Sequence, residues 1–96
     1  MAKVRTYDLH PIDGRKSFYG KCKVIAYYSD NGITSYELVS YTTIVCSYSV
    51  NGFTKLWDGY SATTMRHINA FMAHLGYDYR GKAWWESLPI DETISL

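Results

Sequence analysis

The sequence predicts an α+β domain: a four-stranded antiparallel meander packed against one main amphipathic helix, with a short C-terminal helix. Three observations lead there. Strand-forming residues fill most of residues 21–58 and are broken at Asn31-Gly32 and Asn51-Gly52, both strong hairpin signals. Residues 61–76 then switch to helical periodicity between a start signal and a stop signal. No helical stretch separates the strands, so neither a dinucleotide-binding unit nor a P-loop fold has room for its crossover. Residues 1–96 read as one domain, able to bury roughly 60–65% of its unfolded surface without metal or disulfide support.

At the start, Val4–Leu9 is a candidate short strand. His10-Pro11-Ile12-Asp13-Gly14 reads as a turn region followed by solvated Arg15 and Lys16. Lys21–Ser29 is the first long strand. An Asn31-Gly32 turn would pair Asp30 with Ile33, Tyr27 with Tyr36, Ile25 with Leu38 and Val24 with Val39. One face then carries Ile25, Tyr27, Tyr36 and Leu38, and the other Cys22, Val24, Val39 and Tyr41 together with Glu37. A sheet covered by a helix on one side and a neighbour on the other fits this pattern.

Ser40–Thr43 connects the hairpins as a tight turn. The second hairpin pairs Val50 with Phe53, Tyr48 with Lys55 and Cys46 with Trp57, and these residues with Ile44 should face the helix. Thr43, Ser47, Ser49 and Thr54 form the wetter side, interrupted by Val45 and Leu56.

Ser61 is the expected helix N-cap, with Tyr60 and Met65 at the spacing of a hydrophobic staple. Gly76 is the expected stop, with His74 in the last turn. Ser61, Thr64, Met65, Ile68, Phe71, Met72 and Leu75 form the core stripe. Arg66, Asn69, Ala70 and Ala73 fall opposite, flanked by Ala62, Thr63, His67 and His74, an outer face small enough for another surface to approach closely. After a loop through Tyr77–Gly81, Lys82–Leu88 reads as one or two helical turns stopped by Pro89. One of Trp84 and Trp85 should close the core edge, and the other should be partly exposed. Asp91–Leu96 is expected to fray.

Net charge is +1, which argues against bulk electrostatic capture of nucleic acid or membrane. Positive residues nonetheless gather early: Lys3, Arg5, Arg15, Lys16, Lys21 and Lys23 stand against only Asp8 and Asp13. Aromatics make up 17%, with ten Tyr and three Trp, more than one small core needs, so some should serve an interface.

Cys22 and Cys46 fall within strands, outside any C-x-x-C, and read as reduced, buried thiols of a cytoplasmic protein. No apolar run is long enough to span a bilayer. His67 and His74 lie about 10 Å apart along the helix and cannot share a zinc ion. Cys46 with His67 is the best nucleophile–base pair, but a buried strand thiol fits it better. No metal, cofactor or catalytic set is therefore expected.

The run Leu56-Trp57-Asp58-Gly59-Tyr60-Ser61-Ala62-Thr63-Thr64-Met65-Arg66-His67-Ile68-Asn69-Ala70-Phe71, the later Lys82-Ala83-Trp84-Trp85 and the opening Tyr7-Asp8-Leu9-His10-Pro11-Ile12-Asp13-Gly14-Arg15 carry a resemblance. They are similar to a family of small, mostly uncharacterised proteins encoded by phages and mobile elements of Firmicutes. The resemblance implies a context, not an activity. Such proteins include inhibitors of host defence, anti-CRISPR proteins among them, which occupy a surface of a host protein in the host cytoplasm.

The leading expectation is a non-enzymatic accessory protein, itself a candidate dimer, that binds a protein partner. Its contact residues would be Arg66, Asn69, Ala70, Ala73, Tyr77, Tyr79, Arg80 and Trp84, a set with the Tyr/Trp/Arg character of interface hot spots. The second expectation is a nucleic-acid-binding protein using Arg15, Lys16, Tyr19, Lys21 and Lys23.

Overall fold

Each strand pairs with the one before it, so the sheet follows chain order: β1 (Lys3–Asp8), β2 (Cys22–Ser29), β3 (Gly32–Ser40), β4 (Thr43–Ser49), β5 (Gly52–Lys55) and β6 (Thr93–Ile94). Between β5 and β6 come α1 (Ala62–Leu75) and α2 (Lys82–Ser87). The computed structural model describes residues 3–14 and 16–96, so the role expected of Arg15 lies outside the described residues. The fold is the expected α+β arrangement, an antiparallel sheet against one long helix with a short second helix.

Among the described residues the sheet has six strands, where the hairpin signals alone predict four. The Val4–Leu9 stretch becomes β1, pairing along β2 from Lys3 opposite Tyr28 to Asp8 opposite Lys23. At the other edge, the expected fraying of residues 91–96 is corrected. Phe53 pairs with Ile94 and Thr54 with Thr93, the two threonine hydroxyls meet at 2.7 Å, and the Asp91 amide donates to the Lys55 carbonyl at 2.8 Å. Two residues give no strand pattern of their own; the unpaired edge of β5 supplies their partners.

Both hairpins turn one residue earlier than Asn-Gly suggests. Ser29 faces Gly32 and Ser49 faces Gly52, which leaves Asp30-Asn31 and Val50-Asn51 as the turns. The asparagines are not in the positive-φ region; only Gly32 (φ 111°) and Gly52 (φ 125°) are. The Ser29 and Ser49 hydroxyls accept from the amides of Asn31 and Asn51, a local bond that supports this turn. The glycine therefore follows the turn instead of sitting inside it.

The consequences for the faces differ between the hairpins. In the second, the slip is even: Tyr48 faces Phe53 and Cys46 faces Lys55, so the expected side still meets the helix. In the first, the register also shifts beside Thr34, whose hydroxyl donates to the Tyr27 carbonyl. Val24 now faces Leu38 and Ala26 faces Tyr36, which corrects the expected Ile25–Leu38 and Tyr27–Tyr36 pairs. Cys22, Val24, Ala26 and Leu38 form the buried face, while Ile25 and Val39 turn outward and are half-buried. A second shift between Leu38 and Val39 lets Val45 and Cys46 both bury and leaves Ile44 exposed, the reverse of the expected Ile44 and Val45 placement.

The helix ends form as their residues dictate. The Ser61 hydroxyl accepts from the Thr64 amide at 3.0 Å, and Gly76 adopts the left-handed conformation at φ 91°. Met65, Ile68, Phe71 and Met72 enter the core with Phe53, Val45, the cysteines and Trp85. Trp85 is the fully buried member of the pair, its indole donating to the Gly59 carbonyl at 2.8 Å; Trp84 stays half-buried.

The helix is buried over a wider arc than its stripe. His67, Asn69 and Ala70, expected on or beside the open side, are buried as well. Their cover comes from segments with no periodicity of their own. Phe18, from the β1–β2 connection, packs edge-on to His67 at 4.5 Å, and the loop at Arg80 closes on Asn69.

Candidate functional site

Between these two covering segments a groove remains on the outside of α1, with a volume of about 450 Å³. Ala62, Met65, Arg66 and Asn69 form its floor, Ile12, Asp13 and Phe18 one wall, and Tyr60 and Tyr79 the other. The helix supplies the depth because Ala62 puts only a methyl group where a longer side chain would fill the space. At the rims, Ile12 is 60% exposed and Tyr79 75% exposed, leaving their side chains open to solvent.

Polar groups in the floor are already engaged. Arg66 grips Asp13 in a forked pair, Nε to Oδ2 at 3.0 Å and Nη2 to Oδ1 at 3.1 Å. Its Nη2 also donates to the Lys16 carbonyl, and its guanidinium lies 5.1 Å from the Phe18 ring centre. Arg66 thus fastens the β1–β2 connection to the helix, and Asn69 fastens the following loop.

Of the residues expected to contact a protein, the groove collects Arg66, Asn69 and Tyr79. Ala70 is in the core and is withdrawn from any surface. Ala73 is exposed outside the groove lining. Tyr77 spends its hydroxyl on Tyr48 at 2.7 Å, and Arg80 stacks on Trp84 at 5.4 Å, forming a separate flank beside α2. Ile12 and Tyr60 were missed; a solitary isoleucine in a turn and an aromatic before an N-cap carry no signal until the fold joins them.

The residues expected to contact nucleic acid are divided. Lys16, Tyr19 and Lys21 share a cleft of about 310 Å³ with Tyr41, Thr63, Arg66 and His67. Lys23 points from the other sheet face and pairs with Asp8 at 3.1 Å, so it does not join them.

Burial holds three titratable side chains neutral: His67, Cys22 and Cys46. His67 is 1% exposed, its Nδ1 lies 2.8 Å from the Ser40 hydroxyl, and that hydroxyl lies 3.1 Å from Thr64 Oγ1. Burial, reinforced by the neighbouring Arg66 charge, lowers the His67 pKa to about 4. Ser40 and His67 have the contact of a nucleophile and base, yet both are closed from solvent, so a substrate cannot reach the hydroxyl in this conformation. Burial also pushes the Cys22 thiol up to about 12 and Cys46 well above its usual range, which leaves neither as a thiolate. Among the described residues no three His, Cys, Asp or Glu side chains gather to hold a metal, and no helix is long and apolar enough to cross a membrane.

Residues 7–87 match a family described as a family of unknown function, DUF8033. Comparison with curated proteins and with solved structures finds no match.

Proposed function

The chain belongs to the DUF8033 family, and we propose that it is a non-enzymatic protein that holds a segment of a partner protein in the groove outside α1. The observation carrying this reading is the groove itself: a floor kept open at Ala62 between exposed Ile12 and Tyr79, with a volume in the range of binding clefts. An apolar or aromatic anchor on the partner would fill it, because Met65, Phe18 and Tyr60 offer apolar contact and the Arg66–Asp13 pair is satisfied internally. Lys16 and Lys82 stand nearby, the latter 5.0 Å from the Tyr60 ring centre, and favour carboxylates flanking that anchor.

The resemblance to small phage and mobile-element proteins makes a host protein, such as a defence component, the proposed partner. Inhibition would then follow from occupancy, in the host cytoplasm, without chemistry.

The test is affinity capture from host lysate with the native protein and with Ala62→Arg, which fills the groove from an exposed first-turn position. A protein held by the native chain and lost with Ala62→Arg and Tyr79→Ala supports the reading. Equal recovery by a folded Ala62→Arg variant, or no specific protein with the intact native domain, overturns it. Size-exclusion chromatography of the purified chain identifies the case in which the captured partner is a second copy.

A further inference from the structure

Beside the last turn of α1, the helix-side face of β1, β2 and β3 opens into a cleft. Alternation puts Lys3, Arg5 and Tyr7 on this face of β1, opposite Tyr28, Ala26 and Val24 of β2. The register continues the face to Ile33 and Tyr36 of β3. A cleft of about 490 Å³ opens there, and Arg5, Tyr7, Ala26, Tyr28, Tyr36 and His74 line it.

The wall nearest the helix is fixed. The Tyr7 hydroxyl lies 2.7 Å from His74 Nε2, and the rings of Tyr7 and Tyr36 each meet His74 edge-on at 5.5 Å. Ala26, buried at the floor, is too short to fill the space between the tyrosines. Across the cleft, Arg5 makes no ion pair among the described residues, and neither does Lys3 two positions along the same face. Open aromatic faces beside uncommitted cations are what a nucleic-acid strand uses, the base by stacking and the phosphate by charge.

We propose that this cleft binds a nucleotide unit, its base against Tyr28 and Tyr36 over Ala26 and its phosphate on Arg5. Lys3 stands where the next phosphate of a single strand would pass. The site is at the opposite end of α1 from the protein-binding groove and does not depend on it. A free nucleotide and a single strand share this chemistry, and two probes separate them.

Fluorescein-labelled dT12 is titrated by anisotropy at 50 mM and 200 mM salt, and AMP by calorimetry, on the full chain. Saturable binding of dT12 that weakens with salt identifies a strand; binding of AMP alone identifies a free nucleotide. In either case Tyr28→Ala and Arg5→Glu should each weaken binding by about tenfold or more, whereas Glu86→Gln, at an exposed position on α2, should not. Arg5 is exposed, so Arg5→Glu keeps the test valid if Tyr28→Ala perturbs the fold. No binding of either probe, or binding that Arg5→Glu leaves unchanged, overturns the proposal.

Discussion

Asn69 closes both ends of its amide on the backbone of Arg80: Nδ2 donates to the carbonyl at 2.9 Å, and Oδ1 accepts from the amide at 2.6 Å. From the floor of the groove this side chain ties down the loop after α1, which carries Tyr79 of the groove wall.

Replacing Asn69 with Ala should cost about 2 kcal/mol, since two hydrogen bonds are lost and two backbone groups at Arg80 lose their partner. Urea denaturation measures the loss. Limited proteolysis should cut first within residues 77–81, and an unchanged digestion pattern would show that other contacts hold the loop.

Stability should fall as pH drops from about 6.5 to about 4, because the unfolded chain takes up a proton at His67 that the folded chain refuses. The folded pKa is depressed, so this contribution is complete above the unfolded value and disappears on the acid side. Linkage puts it on the order of 3 kcal/mol. Carboxylates titrate in the same range, so the readout is the difference between the native chain and His67→Gln, whose stability curve should be flatter from pH 6.5 to 4.

Gly32 and Gly52 share positive φ but not surroundings. A Cβ at Gly32 meets nothing within 4 Å, whereas one at Gly52 would lie 2.2 Å from the Ile94 carbonyl oxygen. Gly32→Ala should cost about 1 kcal/mol from backbone strain alone. Gly52→Ala should cost about 2 kcal/mol or more and displace β6. Hydrogen exchange separates the two: amides of Thr93 and Ile94 lose protection only in Gly52→Ala.

Lys55 is 4% exposed, its Nζ donates to the Trp85 carbonyl at 2.9 Å, and it lies 4.9 Å from the Trp85 ring centre. Its stem fills the core edge where β5 meets α2. Lys55→Ala should destabilise by about 2–4 kcal/mol through lost packing, and Lys55→Met by about 1 kcal/mol or less. Thermal melts of the two variants compare them, and equal losses would assign the cost to the charge instead of the stem.

Much of the architecture can be read from the chain because its signals are local. Ser61 and Gly76 mark the helix, and Met65, Ile68, Phe71 and Met72 mark its inner side. Register was harder, since the irregularities beside Thr34 and Val45 depend on how neighbouring strands settle, and one extra residue exchanges the faces of a strand. The site was harder still. Periodicity places Asn69 and Ala70 opposite the core stripe and is silent about Phe18 and Arg80, which cover that side from positions outside the helix. The groove is what those covers leave open, a property of three segments distant in sequence.

Strand order that repeats chain order also sets a sequence of assembly. Each strand from β2 to β5 meets a partner already made, so pairing can proceed one strand at a time while the chain is leaving the ribosome. The roof comes late: α1 and Trp85, which complete the core over the sheet, follow β1 to β5 in the chain.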